Sequence, residues 1–144
     1  MSILGKYESY LGFSQSALDV KARRVQVISE NIINASTPNY RAKDIDFGKI
    51  LTDRLNQREL NNSTPPSSRI SSREIQASTY YRVPLSPSVD SNTVEIGVEQ
   101  AKFGQATSDY QASLQFFEGK VSSCLLYTSP SPRDAHESRM PSSA

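Results

Sequence analysis

The sequence predicts a mainly α protein in which long N- and C-terminal helices form an antiparallel, coiled-coil-like pair, with an extended or disordered polar middle between them. Three observations predict this fold class. Apolar residues recur every seven positions near both ends of the chain, small polar residues and proline dominate the middle, and 144 residues are enough for one small domain. We therefore expect a single domain over residues 1–123 and a separate tail over residues 124–144.

The N-terminal helix is predicted over residues 1–36. Its most regular apolar stripe has seven-residue spacing and consists of Leu4, Leu11, Leu18, Val25 and Ile32. A second stripe, formed by Phe13, Val20 and Val27, lies about 200° around the helix from the first. A helix that is apolar on two faces needs neighbours on both. It is either buried in a bundle or sandwiched between copies in an assembly, and the shortness of the chain favours the second interpretation.

A forced turn is predicted after this helix. Pro38 has no amide hydrogen and pushes Thr37 out of helical backbone angles, so the helix should stop near Ala35 or Ser36. Asn39 follows, and asparagine is the non-glycine residue best suited to a left-handed turn position. We expect the chain to reverse direction here and to return as an extended segment.

The turn, the extended segment and a short helix are predicted to occupy residues 37–60. Ile45 and Phe47 alternate with Asp44 and Asp46, which is typical of an extended segment with one packed side and one solvated side. On this interpretation the two carboxylates lie on the solvated side and do not form a catalytic pair or a metal site. Apolar spacing from Phe47 onward predicts an amphipathic helix that ends near Leu60.

The middle of the chain, residues 61–92, is predicted to be a flexible linker. Prolines at positions 65, 66, 84 and 87 interrupt regular structure in a stretch rich in serine, threonine and asparagine. Residues 80–83, Tyr-Tyr-Arg-Val, are either a small β segment or an aromatic patch that orders only on assembly. The sequence leaves both interpretations open.

The C-terminal helix is predicted over residues 93–123, beginning between Gly97 and Glu99, where a carboxylate suits the positive end of the helix dipole. Its apolar residues follow a heptad-like pattern and include Phe103, Ala106, Tyr110, Leu114, Phe117 and Val121. The N-terminal helix is the other long helix that the sequence predicts, so the simplest architecture packs the two against each other. We interpret the aromatic stripe as packing and not as a ligand site.

Composition argues against several classes of function. The formal net charge of +1, with both signs mixed along the chain, gives no basic surface for nucleic acid. No phosphate-binding loop, catalytic triad order or metal-ligand spacing is present, so we expect no cofactor, no bound metal, no small-molecule substrate and no enzymatic activity. The N-terminal residues lack the pattern of a cleaved secretory signal. A 36% apolar fraction without tryptophan indicates a chain that depends on partners for stability.

The tail, residues 124–144, departs from this pattern. The run from Cys124 to Tyr127 can extend the helix briefly before Pro130 and Pro132 end it. We interpret the tail as read-through into foreign sequence, and a native disordered extension would have the same composition. The only cysteine and the only histidine, His136, both lie in this tail.

A ten-residue motif spans Asn31 to Tyr40 and reads NIINASTPNY. It resembles the motif near the N-terminus of bacterial flagellar rod, hook and hook-associated proteins. Those proteins usually have a small residue at the position of Ile33 and glycine at the position of Asn39. Asn39 can still adopt the turn, whereas Ile33 affects how closely another chain can approach it.

Further runs resemble the flagellar basal-body rod proteins, over roughly residues 1–123 of the chain. In chain order they are DIDF at 44–47, NTV at 92–94, EQAKF at 99–103 and YQASL at 110–114. The resemblance implies a structural subunit of the proximal rod that self-associates into a helical assembly. It also implies export by the flagellar type III apparatus without signal cleavage. The implied partners are other rod proteins and the junction protein that joins the rod to the export base, in the periplasmic part of the basal body.

The resemblance assigns two groups of residues. The first is the family motif with its turn, and it consists of Asn31, Asn34, Ala35, Thr37, Pro38, Asn39, Tyr40, Asp44, Ile45, Asp46 and Phe47. Within it, the turn that places the following segment against a neighbour is set by Asn31, Asn34, Pro38, Asn39 and Tyr40. The second supplies helix packing within and between subunits, and it consists of Leu11, Leu18, Val25, Ile32, Phe103, Tyr110, Leu114 and Phe117. A plainer interpretation of Asn31 and Asn34 is that they only cap the end of a helix.

A second function from another class is a soluble helical adapter or secretion chaperone. Such a protein would use the same apolar faces to bind one client helix. A discrete dimer with ordinary cooperative melting would indicate the adapter. A chain that gains structure as it polymerises would indicate the rod subunit.

Overall fold

A computed structural model describes residues 3–60 and 70–128 of the chain. The elements in chain order are α1 (Ile3–Ile33), β1 (Lys43–Ile45), α2 (Phe47–Leu60), α3 (Ser72–Ala77), β2 (Thr79–Tyr81) and α4 (Ile96–Thr128). The predicted linker residues 61–69 and tail residues 129–144, including His136, lie outside the described residues.

The two terminal helices form the predicted antiparallel pair. Asn31, near the end of α1, donates a hydrogen bond to Glu99 in the first turn of α4. Further along the pair, the Lys21 ammonium group donates to the Ser113 hydroxyl at 2.5 Å. Residue numbers rise on one helix as they fall on the other, so the helices run in opposite directions. At about 1.5 Å per residue, the 31 residues of α1 span about 46 Å.

The helix boundaries differ slightly from those expected. Helix α1 ends at Ile33, two residues earlier than Ala35, although the Asn34 amide still donates to the Glu30 carbonyl at 3.1 Å. Helix α4 begins at Ile96, one residue before the predicted start between Gly97 and Glu99, and continues through Cys124 to Thr128. The last turn of a helix often frays into other hydrogen-bond patterns, so helix ends vary by a residue or two.

The apolar core lies between α1 and the middle of the chain. Val20 and Val27 of α1 are buried together with Ile45 of β1 and Ile50 of α2. Phe47, Ile70 and Ile75 are partly buried around them. Two residues of the second apolar stripe of α1, Val20 and Val27, are therefore covered from within the same chain, while the third, Phe13, is 36% exposed.

Helix α2 has the predicted bounds, Phe47–Leu60. Asp46 precedes it and accepts the Lys49 amide at 3.0 Å, which satisfies one of the free N–H groups of the first turn. Ile50 is buried against the core, whereas Leu55, which belongs to the apolar spacing that predicted the helix, is 52% exposed.

The prediction of a linker without regular structure over residues 61–92 is wrong for residues 72–77, which form α3. Ser71 and Glu74 form a reciprocal capping box that starts α3. Strand β2 then pairs antiparallel with β1, and Lys43 lies opposite Tyr81, Asp44 opposite Tyr80 and Ile45 opposite Thr79. Of the two interpretations left open for Tyr80 and its neighbours, the β segment is the one that the structure contains.

Candidate assembly junction

The turn after α1 has the predicted backbone geometry. Asn39 has a φ angle of 61°, which lies in the left-handed region. The Thr37 amide donates to the Asn34 carbonyl at 3.0 Å, and the Asn39 amide donates to the Asp90 carbonyl at 3.0 Å. The turn is therefore fixed both by local bonds and by the loop that precedes α4.

Asn31 connects three elements through one buried amide. Its side chain is fully buried, and its Oδ1 accepts the Lys43 amide at 3.1 Å while its Nδ2 donates to the Lys43 carbonyl at 2.7 Å. The same Nδ2 lies 3.1 Å from a carboxylate oxygen of Glu99, and the Tyr40 hydroxyl donates to Oδ1 at 3.4 Å. Asn31 thus holds β1 and α4 against α1. A residue that only capped the end of a helix would not need these contacts.

Asn34 makes local contacts instead. Its Nδ2 donates to the Glu30 carbonyl at 2.8 Å, one turn back along α1, and its Oδ1 accepts the Thr37 hydroxyl at 3.1 Å. These bonds satisfy a carbonyl near the helix end and tighten the turn. The two asparagines therefore have different surroundings, although both belong to the same sequence motif.

Asn92, which lies more than fifty positions later in the chain, closes the end of α1. Its Nδ2 lies 3.1 Å from the Asn34 carbonyl, 2.8 Å from that of Ala35 and 2.9 Å from that of Thr37. Its Oδ1 accepts the Val94 amide at 2.8 Å. These carbonyls belong to the turn that directly follows the last residue of α1, so a buried donor at this position stabilises the turn at the end of α1.

Thr93 extends this contact to the returning chain. Its hydroxyl accepts the Ala42 amide at 2.7 Å, and its own amide donates to the Tyr40 carbonyl at 3.0 Å. Asn92 and Thr93 belong to a run that resembles the family, but the sequence alone indicates no contact for either residue. A free helix end predicts that some donor must satisfy it, but the sequence does not reveal which distant residue supplies the donor.

Asp44 is buried at the centre of an ion cluster, so the expectation that it lies on a solvated face is wrong. It is 0% exposed, and Arg24 Nε donates to its Oδ1 at 3.0 Å while the Lys102 ammonium group lies 3.6 Å from its Oδ2. Asp46, by contrast, is exposed as expected. Asp44 lies within β1 and contacts Arg24 of α1 and Lys102 of α4, whereas Asp46 lies after the strand and directly before α2.

The surroundings of Asp44 favour its charged form. Burial raises the pKa of a carboxyl group, but hydrogen bonds from Arg24 and the Ile45 amide and the charge of Lys102 outweigh that effect, so the pKa of Asp44 lies below its ordinary value. The hydrogen bond to Asp44 likewise raises the pKa of Arg24. Burial and the charge of Arg82 lower the pKa of Lys102, against the opposing influence of Asp44.

Glu99 forms the second anion of the cluster. It is 1% exposed and pairs with the Arg82 guanidinium group, whose side chain is 13% exposed. It lies in the first turn of α4, where it was predicted to suit the helix dipole, and it also holds the segment after β2 against the helix pair. Arg82 in turn donates its backbone amide to the Ala42 carbonyl at 2.9 Å.

The predicted packing residues occupy intermediate positions. Each is half-buried apart from Phe103, which is 38% exposed, and the set comprises Leu11, Leu18, Val25, Ile32, Phe103, Tyr110, Leu114 and Phe117. The fully buried apolar residues of the helix pair include Ile28 and Ala106. The heptad positions therefore retain apolar surface that is open to contact outside the chain.

The chemistry of the junction is that of a structural joint. Among the described residues, no group of three or more histidine, cysteine, aspartate or glutamate side chains is placed to hold a metal ion. No described helix is both long enough and apolar enough to cross a membrane. The buried amides and ion pairs join four segments that are distant in sequence, so the fold and its junction define a structural helical subunit.

Comparison with known proteins places this subunit in a family. The chain is 35% identical over 127 residues to the flagellar basal body rod protein FlgB of Yersinia enterocolitica, covering 83% of this chain and 93% of that protein. It is 34% identical over 121 residues to FlgB of Aeromonas hydrophila, and 34% identical over 127 residues to FlgB of Escherichia coli strain K12, covering 83% of this chain and 92% of each relative. No family model matches the chain.

The chain belongs to the FlgB family of flagellar basal body rod proteins. The resemblance noted in its motifs is thereby confirmed. It is a structural protein of the flagellar basal body and not an enzyme.

Proposed function

We propose that this chain is a subunit of the proximal rod, where it self-associates and contacts other rod proteins and the junction protein that joins the rod to the export base. The observation that carries the proposal is the distribution of exposed apolar side chains on α4. Ile96, Phe103 and Phe116 are between 38% and 76% exposed. Relative to Phe103, Ile96 lies about 20° and Phe116 about 220° around the helix, so neighbours are needed on more than one side.

Contacts on several sides suit a subunit of a tube. Head-to-tail contacts that do not close generate a helical assembly, whereas a closed dimer covers one face only. Ile33, at the end of α1, is 77% exposed and adds apolar surface at the turn. On this proposal the residues of the motif, with Asn31 and Asn39 at its centre, hold the turn so that the following segment lies against a neighbour.

Folding on assembly is part of the same proposal. The core contains few buried apolar side chains, including Val20, Val27, Ile45 and Ile50, while several large apolar residues remain exposed. A small core barely offsets the chain entropy lost on folding, and docking on neighbours adds buried apolar area. Export through the flagellar type III apparatus without cleavage is consistent with a chain that is weakly stable alone, and the mass of the protein recovered from basal bodies would test it.

The experiment is sedimentation velocity combined with far-UV circular dichroism on the full chain over a range of concentrations. We expect helical signal and sedimentation coefficient to rise together, and Phe116→Ser to reduce both at a given concentration, because folding and association are coupled. Gln115→Ser is the matched control, because it changes an exposed neighbour on the same helix. A discrete dimer with sharp melting at every concentration would contradict the proposal and indicate the adapter function.

Partner identity is tested in cells that assemble the chain into flagella. A photo-crosslinking amino acid in place of Phe116 should give adducts with rod subunits or with the junction protein, because that side chain is 76% exposed. The same crosslinker in place of the buried Val27 should give none. Adducts confined to soluble export components would contradict placement in the rod.

A further inference from the structure

The hydrogen-bond pattern of the two-stranded sheet shows which backbone groups point outward. The Arg82 amide donates to the Ala42 carbonyl at 2.9 Å, and the Asp46 amide donates to the Ser78 carbonyl at 3.1 Å. Along each strand of an antiparallel pair, residues whose backbone N–H and C=O groups point at the partner strand alternate with residues whose groups point away from it. With the observed register, Lys43 and Ile45 on β1 and Thr79 and Tyr81 on β2 therefore point their N–H and C=O groups away from the partner strand.

The outer edge of β1 is closed by side chains. Asn31 binds both the N–H and the C=O of Lys43, at 3.1 and 2.7 Å, as a neighbouring strand would. The Ile45 amide donates to Oδ1 of Asp44 at 2.8 Å. The sheet cannot grow on this side.

The outer edge of β2 is open. Within residues 3–60 and 70–128, no hydrogen bond engages the outward backbone groups of Thr79 or Tyr81. Tyr81 is 53% exposed, and Val83, which continues the same edge, is 91% exposed. An exposed edge strand offers a row of unpaired groups to another strand, and a two-stranded sheet by itself is only marginally stable.

Three cationic side chains lie beside this two-stranded sheet. The Arg41 guanidinium group lies 4.5 Å from the centre of the Tyr81 ring, and Lys43 lies opposite Tyr81 in the register. At the other end of β2, the Lys49 ammonium group lies 3.5 Å from the Ala77 carbonyl. None of these three cations forms an ion pair with a described residue.

We propose that the outer edge of β2 is a strand-addition site for an extended, acidic segment of another polypeptide. The segment pairs its backbone with the outward groups of Thr79 and Tyr81, and its carboxylates lie near Arg41 and Lys43. Main-chain hydrogen bonds supply affinity in this mode, and charge selects the segment. A proline-rich segment is excluded because it lacks the donors that the edge requires. The inference goes beyond the proposed function, since the edge binds such a segment whether or not the chain joins a rod.

The test measures binding of labelled peptides to the full chain by fluorescence anisotropy. The probe is a capped peptide of alternating valine and glutamate. One control is methylated on every backbone nitrogen, which preserves its charge and removes its N–H donors, and a second has lysine in place of glutamate. We expect the probe to bind more tightly than either control by about tenfold or more, and to bind more weakly as salt rises. Equal binding of the methylated peptide or of the lysine peptide, or no binding of the probe, overturns the proposal.

Two variants locate the site. Tyr81→Pro removes the outward N–H group and leaves the bonds between β1 and β2 intact, because that N–H does not point at β1. Tyr81→Val keeps the N–H group and removes the ring. We expect Tyr81→Pro to weaken binding about tenfold and Tyr81→Val to weaken it less than about threefold. Equal losses would show that the ring alone makes the contact. The peptide comparison on the unmodified chain decides the proposal even if Tyr81→Pro does not fold.

Discussion

Replacing Asn92 with alanine tests whether the loop before α4 closes the end of α1. The substitution removes an amide group that lies 3.1, 2.8 and 2.9 Å from three carbonyl oxygens, together with the acceptor of the Val94 amide. Asn92 is 8% exposed, so water cannot fully replace these contacts. The amide has two N–H groups for the three carbonyls, so the loss amounts to about three hydrogen bonds.

The expected loss of stability follows from that count. A buried hydrogen bond contributes about 0.5–1.5 kcal/mol net, so Asn92→Ala should lower the free energy of unfolding by about 2–4 kcal/mol. That is a large part of the stability of a small domain. The measurement is urea unfolding followed by far-UV circular dichroism, at a fixed protein concentration so that self-association stays constant.

Two controls separate the roles of the amide. Asn92→Asp keeps the acceptor for Val94 but places a carboxylate against three carbonyls, so it should destabilise the protein at least as much as Asn92→Ala. Asn56→Ala changes an exposed asparagine on α2 and should shift stability by less than about 0.5 kcal/mol. The reasoning fails if Asn92→Ala unfolds at the same urea concentration as the unmodified chain, or if Asn92→Asp is the most stable of the three variants.

Three further predictions concern other parts of the molecule. The folded pKa of Asp44 lies below its ordinary value of 3.8, so its contribution to stability is present above that pH and is lost as pH falls through the folded pKa. Acid unfolding curves should show this loss in the unmodified chain and a smaller one in Asp44→Asn, and identical slopes would contradict it. Val27→Ala should lower the free energy of unfolding in urea by about 1–2 kcal/mol, because Val27 is 4% exposed in the core. Val25 lies on the half-buried face, so Val25→Ala should lower it less and weaken association more. Equal losses of stability would show that both faces pack alike. Asn39→Gly should keep or raise the melting temperature, because the φ angle of 61° suits glycine. Asn39→Ala should lower the free energy of unfolding by about 1 kcal/mol. An alanine variant as stable as the unmodified chain would show that the turn can adopt another conformation.

Elements with strong local signals were predictable from the sequence. The seven-residue apolar spacing predicted α1 and α4, and their antiparallel packing followed because no third long helix was predicted. Pro38 fixed the region of the turn, and Asn39 has the left-handed conformation that its residue type favours. Helix α2 has the predicted bounds because its apolar spacing continues to Leu60 without an intervening proline.

The short elements of the middle were not predictable in the same way. Strand β2 has three residues, and it is ordered by pairing with β1, which lies more than thirty positions earlier in the chain. Local composition around it is rich in serine and proline, so propensity alone favours a loop. The capping box of Ser71 and Glu74 was a local signal that could have indicated α3.

By itself, then, the sequence determined the helix pair, the turn and the family, because each depends on spacing or on residue types along a continuous stretch. Tertiary structure alone decided that Asp44 is buried against Arg24 and Lys102 while Asp46 stays exposed. It likewise decided that Asn92 closes the end of α1. Burial and hydrogen-bond partners are set by segments that meet only after folding, so identical residue types two positions apart can have opposite surroundings.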